Sequence, residues 1–99
     1  VFELTQDLAE EWGLDKEKAS KLTGNVPFKE ATLLKLNCDK ALAYLNWHST
    51  LHYEQCVHII AEWYKAFYEG KNVDMFDLTK KQIEYYTKEA ESQNLNWTK

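Results

Sequence analysis

Ninety-nine residues, 44% of them hydrophobic and 14% aromatic, are enough for one domain with a modest core and too few for two. The twelve basic residues are all Lys against sixteen acids, a net charge of -4, so the guanidinium fork that reads phosphate or guanine is missing and nucleic acid is excluded as a partner. No apolar run approaches the roughly 18 residues of a membrane span, the chain opens at Val1 without a basic-then-apolar leader, and two thiols, Cys38 and Cys56, do not make a disulfide framework, which together predict a cytoplasmic protein with free thiols and no membrane contact.

Phe2, Leu4, Leu8 and Trp12 recur near helical spacing among Glu3, Asp7, Glu10 and Glu11, and Gly13 follows where a left-handed C-cap sits, predicting a helix over 2–12. Its acids continue to the C-terminal end, against the helix dipole, so packing has to hold it. Between Gly24 and Pro27 the chain must turn, because Pro27 fixes its own backbone angle and disfavours helix at Val26. Short extended pieces are expected on either side, over 20–23 and 32–36. Asn37 is expected to cap a short helix with Ala41, Leu42 and Leu45 on its inward face.

The strongest helical pattern comes next. Tyr53, Val57, Ile60, Tyr64 and Phe67, joined by Cys56, Trp63 and Tyr68, form a wide apolar stripe opposite Glu54, His58, Glu62, Lys65 and Glu69, and Gly70 stops it. After a loop over 72–77, Thr79 and Gln82 form a T-x-x-Q capping box that opens a last helix, with Ile83, Tyr86 and Ala90 as its stripe to about Ser92. The whole is an α+β domain, mostly helical, with about four helices and one or two short strands over 1–92, and a tail over 93–99 that frays. Charge is blocked along the chain, acidic over 1–17, basic over 18–40, acidic again over 41–79, but no run of five like charges occurs, so these are solvated faces.

His48, His52, Cys56 and His58 are spaced like zinc ligands, yet His48 precedes the long helix, Cys56 lies on its apolar stripe and His58 points away, so no metal is expected. Trp12, Trp63, Tyr64 and Tyr86 fall on helical stripes, which core packing explains better than a sugar-stacking platform, whereas Trp97 lies outside any stripe. Asn96-Trp97-Thr98 matches the glycosylation triplet without a leader to support it. Gly13, Gly24 and Gly70 are too far apart to cradle a pyrophosphate, no Tyr has a Lys four residues on, and neither a P-loop nor a G-x-S-x-G elbow occurs. No catalytic residue is expected in this chain.

Over residues 25–86 the order Glu30-Ala31, Leu34-Lys35-Leu36-Asn37, Asp39-Lys40-Ala41, Leu45-Asn46-Trp47, Glu62-Trp63-Tyr64, Phe67-Tyr68-Glu69-Gly70, Thr79, Gln82-Ile83 and Tyr85 resembles the C-terminal part of the CDP-glucose 4,6-dehydratases, members of the extended short-chain dehydrogenase/reductase family. Leu4 to Gly13 resembles the family helix that ends in Trp-Gly just before this region. The resemblance implies a C-terminal lobe that closes over a nucleotide-sugar, with NAD and the catalytic Tyr and Lys carried by an N-terminal Rossmann domain of the same protein. The implied reaction oxidises glucose at C4, eliminates water across C5 and C6 and returns the hydride to C6, and none of these steps falls on residues of this chain.

The resemblance also implies the substrate contacts. Glu30 stands where related epimerases place an acid on the nucleotide ribose, and a carboxylate suits that role because it accepts two hydroxyl hydrogen bonds. Lys29 replaces a His common in the family and would bring a point charge to the diphosphate. Asn37 stands for an Asp, Asn46 for a Gly and Ser49 for a Pro; Asn46 keeps the left-handed C-cap role. The alternative to a dehydratase lobe is an independent helical interaction module, without enzymatic role, whose aromatic stripe docks a partner. An upstream G-x-x-G-x-x-G and Tyr-x-x-x-Lys would favour the enzyme.

Overall fold

The structure, a computed structural model, describes residues 1–21, 24 and 35–99. Four helices follow in chain order, α1 over Phe2–Trp12, α2 over Asp39–Leu45, α3 over Tyr53–Glu69 and α4 over Met75–Ser92, with a 3-10 turn at Asn96–Thr98. The protein is mostly helical. No strand occurs among the described residues: Ser20, Lys21, Lys35 and Leu36 are irregular, and the rest of the two expected extended pieces lies outside them.

α1 and α3 have the bounds that their periodicity predicts. Gly13 ends α1 at φ 83, and its N–H and that of Leu14 return to the carbonyls of Glu10 and Ala9. Asn46 does the same for α2 at φ 50, the mildly strained angle that Asn tolerates best after Gly. Gly70 ends α3, as expected, by another geometry than Gly13. Its backbone is extended, and a Cβ there would strike the Ala66 carbonyl oxygen and the Val73 side chain, so glycine is required by space and not by angle.

The start of α4 corrects the expected loop over 72–77 and the Thr79–Gln82 capping box. Asp74 caps the helix, its Oδ1 accepting from the N–H groups of Phe76 (3.0 Å) and Asp77 (3.1 Å), so the helix begins one turn earlier. Thr79 and Gln82 therefore sit inside α4 and turn their side chains to other work.

α3 is the shared element: α1 and α4 each pack on it and not on one another. At about 100° per residue, Val57, Ala61 and Tyr68 share the face of α3 turned to α1, while Gln55, Ile59 and Glu62 lie on the face turned to α4. The three helices thus make one layer with two open sides. Ile60, Tyr64 and Phe67 project on one side; His58, Lys65 and Glu69 lie toward the other. This corrects the expectation that the aromatic stripe is core. Among the described residues the buried apolar ones are Ala9, Val57, Ala61, Ala90 and Leu95, none of them aromatic; Trp12, Trp63 and Tyr86 are half-buried, and Tyr64 is exposed. α2 also departs from its expected inward face, since Leu42 and Leu45 are exposed and α2 packs on none of the other described elements.

Candidate functional site

Residues far apart in sequence meet across the α3–α4 joint. The Trp63 indole N–H donates to Thr79 Oγ1 at 2.8 Å, and that hydroxyl donates to the Met75 carbonyl at 2.7 Å, so the threonine relays between the two helices. One turn along, Gln82 Nε2 donates to the Ile59 carbonyl (3.1 Å) and to Glu62 Oε2 (2.8 Å). Gln55 Nε2 donates to the Tyr85 hydroxyl (3.0 Å) and to Glu89 (3.2 Å). Each is a polar side chain held at a half-dry interface, where a satisfied hydrogen bond specifies register as well as contributing energy.

On the apolar side of this joint, Ile59, Ile60, Trp63, Tyr64 and Gln82 line a shallow hollow of about 350 Å³. The rings around it form a contiguous set. Trp63 stacks on Phe67 with centroids 5.5 Å apart, Tyr64 stacks on Tyr68 at 6.4 Å, and Trp12 of α1 lies 6.3 Å from Tyr68. Trp97 continues the aromatic surface on α4 by stacking on Tyr86 at 5.8 Å, a contact that no helical stripe predicts. Apolar surface of this kind, open and contiguous, marks a face that another surface covers.

On the polar side, the α1–α3 groove is acidic. Asp7, Glu10, Glu11 and Glu54 line it beside Tyr53 and Val57, in a cleft of about 320 Å³. The Tyr53 hydroxyl donates to Asp7 Oδ2 at 2.7 Å; that hydrogen bond, then burial and the charge of Asp7, push the phenol up to about 12. His58 Nδ1 meets Glu11 Oε2 at 2.9 Å, a hydrogen bond that raises the imidazole above its ordinary value. The Trp12 indole N–H donates to Glu69 at 2.6 Å, and Lys65 Nζ donates to the Trp12 carbonyl at 3.1 Å, which offsets the unfavourable acids at that helix end.

Glu30 and Lys29, the two expected substrate contacts, lie outside the described residues. Among the described residues no group of three or more His, Cys, Asp and Glu side chains is arranged to hold a metal ion. His48 sits in the α2–α3 connection with Nδ1 3.3 Å from the Ser49 carbonyl, His52 is the N-cap of α3, Cys56 is half-buried and His58 belongs to Glu11. No helix of the described residues is long and apolar enough to cross a membrane. The contacts of Glu69, Gln55 and Thr79 had no signature in the sequence, because partners 16 to 57 residues away leave no local spacing. No protein-family model, curated protein or solved structure matches the chain.

Proposed function

We propose that this chain is the substrate-binding C-terminal lobe of a CDP-glucose 4,6-dehydratase-type enzyme. In that reading it is the α-rich lobe beside a Rossmann domain, which holds NAD and supplies the catalytic Tyr and Lys. One observation carries the proposal: segments that resemble the family separately in sequence are joined in space. Glu62 and Trp63 belong to one such segment, Thr79 and Gln82 to another, and their side chains bond pairwise across α3 and α4. The open apolar side of the layer supports the same reading, since a lobe of a larger enzyme has a neighbour to cover it.

Glu30 then holds the nucleotide ribose through its carboxylate, and Lys29 places an ammonium toward the diphosphate. The chain itself contributes binding and orientation; proton and hydride transfer belong to the other domain. The exposed face of Ile60, Tyr64 and Phe67 equally suits a helical interaction module, the second reading. Titration of CDP-glucose into the protein that carries this chain, followed by calorimetry with glucose as control, separates the two. Saturable binding of the nucleotide-sugar supports the lobe, and no binding of any nucleotide-sugar leaves the module.

A further inference from the structure

We propose that α1 is a pH-sensitive latch on α3, closed by the contact between His58 and Glu11 and loosened as the imidazole loses its proton. α1 packs on α3 alone, and the buried side chains of the two helices are Ala9, Val57 and Ala61, all small, so polar contacts carry an unusual share of the docking. There are four: Tyr53 to Asp7, His58 to Glu11, Lys65 to the Trp12 carbonyl and Trp12 to Glu69. Of the side-chain types in the set, imidazole is the one whose ordinary titration range lies between pH 5 and 8, and His58 is the set's one imidazole.

The surroundings make that change matter. Asp7, Glu10 and Glu11 of α1 face Glu54 of α3 across the 320 Å³ cleft, and no Lys lines it. Glu62 lies one turn along α3 from His58, and from α4 Lys81 and Tyr85 reach the neighbouring cleft that His58 also lines. Lys81 is already paired with Asp77 at 2.7 Å. A protonated His58 therefore offsets the acid-on-acid packing of α1 against α3, and a neutral one leaves it unrelieved. The hydrogen bond to Glu11 raises the folded pKa above the unfolded value of about 6.5, so the stabilisation is fully present below that pH and is lost as pH rises through the folded value. His58 and Glu11 are 64% and 42% exposed, which limits the effect to that of a surface pair, roughly two- to fivefold in the docking equilibrium.

Amide hydrogen exchange on the protein that carries this chain, at pH 5.5 and 8.0 and corrected for intrinsic rates, tests the latch. Between the two, protection in α1 should fall two- to fivefold more than protection in α4. His58→Gln should abolish that difference. Glu11→Gln should abolish it too and bring the His58 titration, followed by NMR, down toward 6.5, while His48→Gln should change neither. The latch is overturned if α1 tracks α4 at both pH values, if the difference survives in His58→Gln, or if His58→Gln fails to fold, since the histidine would then be structural.

Discussion

Removing Trp63 tests the α3–α4 joint, because this one side chain spans it. The indole is half-buried, stacks on Phe67 at 5.5 Å and donates to Thr79 at 2.8 Å. Truncating a fully buried aromatic to Ala costs roughly 3 to 5 kcal/mol, and half-burial brings Trp63→Ala to about 2 to 3 kcal/mol. Trp63→Phe keeps one ring but loses the N–H and part of the indole's packing volume, about 1 to 2 kcal/mol in all, and leaves the Thr79 hydroxyl still donating to Met75. For a chain of this length each kcal/mol lowers the melting temperature by roughly 4 to 8 °C, so circular dichroism melts should place Phe several degrees and Ala roughly 8 to 24 °C below the parent. A double-mutant cycle of Trp63→Phe with Thr79→Ala should return a coupling of about 1 kcal/mol. Trp63→Ala melting within a few degrees of the parent, or a cycle with no coupling, would refute the joint.

Asp74→Ala removes a side chain that accepts from two backbone donors at the start of α4 and should cost about 1 kcal/mol in urea unfolding, whereas Asp74→Ser should recover most of it. Gly70→Ala places a methyl against the Ala66 carbonyl and Val73 and should destabilise by about 1 to 3 kcal/mol despite an ordinary backbone angle. On the proposed dehydratase reading, Glu30→Gln in the protein that carries this chain should raise KM for the nucleotide-sugar roughly tenfold with kcat little changed, because a ribose contact would be made equally in ground and transition states. Equal KM values with the fold intact would make Glu30 a surface acid.

Helices were legible where periodicity and a stop signal agreed. Phe2 to Trp12 before Gly13, and Tyr53 to Glu69 before Gly70, have the bounds that their stripes predict. The start of α4 was not, because Thr79–Gln82 and Asp74 are both plausible caps, and the competition is decided by Phe76 and Asp77 reaching the Asp74 carboxylate. An apolar stripe says which residues avoid water and not what covers them, which is why Ile60, Tyr64 and Phe67 could be read as core and yet lie open on a single layer. The polar joints at Trp63–Thr79 and Trp12–Glu69 depend on the angle at which helices cross, which spacing within one helix does not encode. Glu30 and Lys29 were singled out only by resemblance, and they lie outside the described residues.

The dehydratase reading meets its most direct test in turnover by the protein that carries this chain, supplied with NAD and CDP-glucose. The account predicts a CDP-linked 4-keto-6-deoxy sugar as product, with no net consumption of NAD because the hydride taken from C4 returns at C6. An intact, folded protein that leaves CDP-glucose and other nucleotide-glucoses unchanged would contradict it.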